Sequence, residues 1–213
     1  MNFSPKNHWE NVYQAKKPAE VSWYQTHPTV SLELIALTGL DHTSKIIDVG
    51  GGASIFVDQL LDEGFKNLTV LDISSKAIDY ARERLGSRAE NINWIEADIL
   101  QVELPYIYDL WHDRAVFHFL TSPEDRRKYI HVMEKAVRPG GHVIIAAFSL
   151  EGPPKCSGLQ VEHYSPDKLQ KEIGDKFFLV KNVDEIHMTP SQAKQKFIYC
   201  YFMKRDNEKR REK

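Results

Sequence analysis

The sequence of 213 residues predicts an α/β fold, a mostly parallel sheet with helices on both faces. Three observations predict it. Apolar runs and amphipathic stretches alternate from about residue 45 onward, the order that builds parallel strands joined by helices. Within the runs polar residues do not alternate with apolar ones, so the strands are buried on both faces. Glycines punctuate the joints, at Gly50 to Gly52 after the first run and at Gly64 and Gly86 after the first two helical stretches.

Taken in order, residues 1–40 are rich in aromatics (Trp9, Tyr13, Trp23, Tyr24) and are expected to form one or two helices over the sheet's edge, a lid segment. Lys45–Val49 reads as the first strand, and Val57, Leu60 and Leu61 mark one face of the helix after it. Residues 68–71 form the second strand, ending at Asp72. Ser74 or Ser75 caps a helix whose Ala77, Ile78, Ala81 and Leu85 share a face. Residues 92–95 and 108–113 are the third and fourth strands. A helix over about 123–137 ends at the turn Arg138-Pro139-Gly140-Gly141, which feeds a fifth strand at 142–148. Residues 177–187 and 197–203 look like two strands with no helix between them, so the last runs antiparallel. No linker or repeat divides the chain: a single domain over 1–204, with its core sheet at 45–204, is expected, followed by a charged, frayed tail at 205–213.

Composition narrows the function classes. A net charge of −2 provides no global basic field for nucleic acid or an anionic membrane. No apolar run approaches about 18 residues and no signal pattern opens the chain, so a cytoplasmic protein is expected. Cys156 and Cys200 form neither a disulfide framework nor a metal-type spacing, and no metal is expected.

The strongest chemical signal is Asp48-Val49-Gly50-Gly51-Gly52-Ala53-Ser54. A strand, three glycines and a helix start make a turn tight enough for backbone to touch a ligand, at the strand ends where open parallel sheets bind. Asp72 follows Gly50 by 22 positions, where an acid accepts both hydroxyls of an adenosine ribose. Asp98, just past the third strand, is placed to accept from an adenine amino group, with Ile99 offering backbone contact and Ile73 beside Asp72. Together these read as a nucleoside site. A dinucleotide fingerprint would need glycine where Ile55 stands. Tyr164 and Lys168 have the spacing of a reductase pair, but Pro166 lies between them and more naturally opens a helix capped by Ser165.

Residues 46–203 resemble a class I S-adenosylmethionine-dependent methyltransferase. The marks are Asp48-Val49-Gly50-Gly51-Gly52, Asp72, Glu96-Ala97-Asp98, Tyr108-Asp109-Leu110-Trp111 and Arg138-Pro139-Gly140-Gly141. The resemblance implies a three-layer Rossmann-like methyltransferase fold, its seven strands in the order 3-2-1-4-5-7-6 with strand 7 antiparallel. It implies S-adenosyl-L-methionine as cofactor, with Asp48 and the glycine loop at its methionyl end. Arg114 joins the expected cofactor contacts. Ser54 departs from the family, many members of which have a third spaced glycine there.

Acceptor chemistry is expected past the fourth strand, at Trp111-His112-Asp113-Arg114-Ala115-Val116-Phe117-His118. Asp113 could orient an acceptor, and His112 or His118 could take its proton near neutral pH. The structural alternative pairs Asp113 with Arg114 and buries His118 in the core. This segment is similar to the Trp-Asp-Arg-Gly of thiopurine and related thiol methyltransferases, and to the acid–Lys–Gly of elongation-factor lysine methyltransferases. Ala115 replaces the glycine and His112 interrupts the pattern. Trp23, Tyr24, Trp111, Phe117 and Cys156 are the expected acceptor contacts, Cys156 from the loop 152–159, which should border the pocket. The Asn/Asp-Pro-Pro-aromatic tetrad of amino-base methylation is missing at residues 113–116, and Cys156 follows Lys155 rather than the proline that cytosine methylation requires. The expected function is methyl transfer to a small molecule. A protein lysine methyltransferase is the alternative, and a non-catalytic cofactor-binding regulator the alternative of another class.

Overall fold

The computed structural model describes residues 4–206. Its strands are β1 (Lys45–Val49), β2 (Asn67–Asp72), β3 (Ile92–Glu96), β4 (Tyr108–Arg114), β5 (Val137–Phe148), a short hairpin of β6 (Lys155–Cys156) and β7 (Leu159–Gln160), then β8 (Phe177–Met188) and β9 (Lys194–Lys204). One sheet takes the order β3-β2-β1-β4-β5-β9-β8. With the hairpin set aside this is the expected 3-2-1-4-5-7-6. β1 to β5 pair in parallel, and β9 runs antiparallel to both β5 and β8.

Successive side chains of a strand point to opposite faces, and the sheet uses this to separate two cores. Ile46, Leu68, Val70, Leu110, Ile144 and Tyr199 face α2 (Thr29–Ala36) and α3 (Phe56–Asp62). Ile47, Val49, Trp111, Val143, Ile145 and Cys200 face α5 (Pro123–Ala136) and α6 (Pro166–Ile173). The capping residues are serines: Ser74 opens α4 (Ser75–Leu85), Ser122 opens α5 and Ser165 opens α6. Each hydroxyl accepts from a first-turn amide, at 3.2 Å in all three, which satisfies donors that have no partner within the helix.

As expected, Pro166 opens α6 under a Ser165 cap, so Tyr164 lies outside it, and the Lys168 ammonium bonds Glu162 (2.8 Å) and the His163 carbonyl (2.7 Å). Other expectations change. Residues 138–141 are no turn between helix and strand. β5 starts at Val137 opposite Tyr108, and the register shifts before Leu110 meets His142. The first helix, α1 (Pro5–Ala15), lies over the carboxyl ends of the strands rather than over the sheet's edge: its Glu10 bonds the start of α4 and its Lys6 pairs with Glu96 at the end of β3. At the other end, Arg205 donates to the Lys176 carbonyl (2.8 Å) and covers the Phe178 ring, so the chain is still held at the first residue of the expected tail. Residues 207–213 of that tail lie outside the described residues.

Candidate functional site

At the carboxyl ends of the parallel strands a cavity of about 380 Å³ opens beneath α1. One half is built by the ends of β2 and β3: Asp72, Ile73, Asp98 and Ile99 all line it. Its other half lies beyond β4 and β5, where Arg114, Ala115, Val116, Phe119, Cys156 and Leu159 line it, with Trp9, Tyr13 and Trp23 from the N-terminal segment. Trp9 packs edge-on against Trp23 (5.6 Å) and Phe119 (5.0 Å). A smaller neighbouring cavity of about 40 Å³ is lined by Asp48, Gly50, Gly51, Tyr24, Gln25, His112 and Arg114.

The glycine turn is required by what surrounds it. A Cβ on Gly51 would collide with the Asp48 carboxylate, and one on Gly52 would come 2.5 Å from both Ala77 and the Asp72 carboxylate. Asp72 holds this turn: its Oδ2 accepts from Gly52 N (3.0 Å) and its Oδ1 from Ser74 N (2.8 Å). Burial pushes its carboxyl up to about 7, against the lowering effect of those two amides. Asp98 closes its own loop, accepting from Leu100 N (2.9 Å).

β4 sorts its end residues by alternation. His112 and Arg114 go to the α2/α3 face, Trp111 and Asp113 to the α5/α6 face. His112 stands in register with Asp48 of β1. A carboxylate can only accept, so His112 donates from Nδ1 to Asp48 Oδ1 (2.7 Å), and its Nε2 meets Ser31 Oγ of α2 at 2.9 Å. Arg114 donates to Tyr199 Oη (2.8 Å) and to the Trp23 carbonyl (2.8 Å), while Tyr199 and Gln25 both donate to Glu185.

Two buried polar atoms on residues lining the smaller cavity have no hydrogen bond, Asp48 Oδ2 and Arg114 Nη2; Glu185 lies 3.6 Å from the latter. Buried groups of this kind need partners. One is an anionic acceptor and the other a cationic donor, the complement of an ammonium and a carboxylate on one molecule. Beside the acids Asp72 and Asp98 at the strand ends, this donor set fits a nucleoside joined to an amino acid.

The expected catalytic residues do not line the large cavity. Asp113 is fully buried beneath the turn after β4, accepting from Tyr129 Oη (2.5 Å), Val116 N (2.9 Å) and Phe117 N (3.1 Å). Among the described residues it makes no ion pair with Arg114. Burial raises its carboxyl to about 7, opposed by the Tyr129 hydroxyl. His118 is fully buried, stacked on Phe148, and Nδ1 accepts from Phe148 N (3.2 Å). Burial lowers its imidazole to about 3, with the Arg114 charge adding. Trp111 and Phe117 are core residues with no exposure, the former donating to Tyr129 Oη at 2.8 Å. Of the expected acceptor contacts, Trp23 and Cys156 line the large cavity and Tyr24 only the smaller one. Burial pushes the Cys156 thiol up to about 11, away from nucleophilic character. Ala115 has φ 74°, so the backbone keeps the left-handed shape that a glycine would give this turn.

Sequence reasoning missed Glu10, Ser31, Glu185 and Tyr199. Each reaches the site from 65 or more positions away from its partner, and no local pattern marks them.

Comparison with known proteins places these features in context. The family described as "Methyltransferase domain" matches residues 46–141. The chain is 29% identical over 178 residues to the eEF1A lysine and N-terminal methyltransferase of Bos taurus, covering 81% of this chain and 23% of that protein. It spans less than half the length of the curated relatives it matches. Among solved structures, N-methyltransferase NodS of Bradyrhizobium japonicum WM9 in complex with S-adenosyl-l-homocysteine superposes with a TM-score of 0.71 at 19% identity, over 92% of this chain and 98% of that one. A structure from work on conversion of a disulfide bond into a thioacetal group during echinomycin biosynthesis gives 0.76 at 19% identity, over 95% and 94%. At that identity both likenesses speak to the fold.

Proposed function

The chain belongs to the class I S-adenosylmethionine-dependent methyltransferases, and from that premise we propose that it transfers the cofactor's methyl group to a small-molecule acceptor. Bound S-adenosyl-L-methionine supplies a methyl group on a positively charged sulfur. Asp72 accepts from the ribose hydroxyls, and Asp98 with Ile99 meets the adenine edge. Asp48 Oδ2 accepts from the ammonium, and Arg114 Nη2 donates to the carboxylate. His112 orients Asp48 and carries no proton away from the acceptor. The lid segment (1–40) and the sheet act here as one unit.

The observation that carries the small-molecule reading is the apolar lining of the acceptor half, where Trp9, Trp23, Phe119, Cys156 and Leu159 meet around one cavity. Such a space suits a ligand whose surface is mostly buried. Among the described residues no histidine or lysine lines the large cavity, and its carboxylates are Asp72, Asp98 and Asp125, the last 3.8 Å from Lys128. The acceptor therefore meets the methyl group with its nucleophile already free, and alignment with exclusion of water supplies the rate. A protein acceptor is the second reading, favoured by the printed activity of the Bos taurus relative. Tritiated cofactor incubated with the enzyme in a cell extract, then separated by size, tests the two. Label in the small-molecule fraction is expected, and label confined to one protein band would overturn the preference.

Asp72 also gives the site a pH dependence. Its folded value of about 7 lies above the ~3.9 of a free aspartate, so the unliganded fold binds the extra proton between these values. That contribution to stability is full below about pH 4 and is lost as pH rises through about 7. Cofactor binding runs the other way, because the ionised carboxylate is the better acceptor. Titration calorimetry with S-adenosylhomocysteine should show affinity falling about tenfold from pH 8 to pH 6, and a flat profile would contradict the ribose role.

A further inference from the structure

We infer that Glu10 is a positioning residue that couples closure of α1 over the site to the setting of Asp72, so that cofactor residence depends on it. The inference rests on the cofactor assignment above.

The observation is a run of four amides at the start of α4, shared among three side chains. Ser74 N donates to Asp72 Oδ1 (2.8 Å), and Ala77 N to the Ser74 hydroxyl (3.2 Å). The two amides between them go to the lid: Ser75 N donates to Glu10 Oε1 (2.7 Å) and Lys76 N to Glu10 Oε2 (3.4 Å). The Ser75 hydroxyl adds a third bond to Glu10 Oε1 (3.0 Å). First-turn amides have no acceptor inside their own helix and carry partial positive charge. A carboxylate from another element is their strongest partner.

Helical spacing supplies the second half. Tyr13 lies three positions beyond Glu10 and Trp9 one before it, and both line the large cavity. Seating Glu10 on α4 therefore seats these aromatics over the ligand. Opening α1 frees the Ser75 and Lys76 amides and loosens the segment whose next amide holds Asp72. Lid and ribose acid are thus two ends of one hydrogen-bonded run. The Lys6–Glu96 ion pair also tethers α1, but both side chains are about half exposed, and such pairs contribute little.

The test compares the full-length wild type with Glu10→Ala, Glu10→Gln and Lys6→Ala, using S-adenosylhomocysteine as the probe. Release is followed by stopped-flow tryptophan fluorescence, and exchange of the α1 amides by mass spectrometry with and without the probe. Glu10→Ala should release the probe at least tenfold faster. Glu10→Gln should fall between it and wild type, and Lys6→Ala should stay within twofold. In the wild type the probe should slow exchange across residues 5–15, and in Glu10→Ala that slowing should vanish. Should Glu10→Ala fail to fold, Glu10→Gln carries the same comparison. Release within twofold of wild type in the glutamate variants, or no slowing of α1 exchange in the wild type, overturns the coupling. A wild type that does not bind the probe overturns the cofactor assignment, a separate and distinguishable result.

Discussion

Replacing Asp72 by alanine is expected to weaken S-adenosylhomocysteine binding about 30- to 1,000-fold, the equivalent of ~2–4 kcal/mol. Two charge-assisted hydrogen bonds to the ribose would be lost directly. The carboxylate is also the shared acceptor of Gly52 N and Ser74 N, so its removal frees the glycine turn that the ligand must approach. Asp98→Ala should lose less, because one adenine contact is at stake and its carboxylate otherwise serves its own loop. Calorimetry on both variants at pH 8, where Asp72 is ionised, separates the two. An Asp72→Ala affinity within threefold of wild type would mean that the ribose lies elsewhere.

The second large effect is on stability. Asp113→Ala would strand the Phe117 amide and the Tyr129 hydroxyl in a fully buried setting, and the amide of half-buried Val116 beside them. Each stranded donor costs ~1–3 kcal/mol, and the three share one site, so about 3–5 kcal/mol in total is expected. In a domain of this size that lowers the melting temperature by roughly 6–20 °C. Urea unfolding gives the decisive number. A catalytic Asp113 would instead leave the midpoint in place and abolish turnover. Asp113→Asn should be milder, since its carbonyl oxygen still accepts from one donor while its amide group faces another.

Much of the architecture is legible because the strands are short apolar runs ended by glycine or acid. Lys45–Val49 was bounded on both sides by its own punctuation, and Ser165-Pro166 announced α6 in the same way. The antiparallel close followed from two strands with no helix between them. β5 was read short at its start because Arg138-Pro139-Gly140-Gly141 has the composition of a turn, whereas pairing with Tyr108 keeps it in the ladder. The acids of the large cavity are equally readable, since Asp72 and Asp98 sit where strand ends must present them. The side chains at the end of β4 are not. A polar residue at the end of β4 looks available for chemistry, but face alternation sends Asp113 under the sheet to Tyr129 and His112 across to Asp48. The lid is legible as aromatic and illegible in placement, because Trp9 and Tyr13 fit any apolar surface, and the contacts that choose one, Glu10 on α4 and Lys6 on Glu96, come from ordinary-looking surface charges.

The bond between Ser31 and His112 bears on how enzymes of this build can diversify. The family match starts at residue 46, inside β1, which invites a view of the N-terminal segment as an exchangeable specificity cassette on a conserved engine. In this chain Ser31 of α2 meets His112 at 2.9 Å, and His112 in turn fixes Asp48 at 2.7 Å. A lid transplanted from a homologue would therefore bring or omit a support for Asp48 as well. A donor segment without a hydroxyl at position 31 would leave His112 Nε2 without this partner, at the far end of the bond that fixes Asp48.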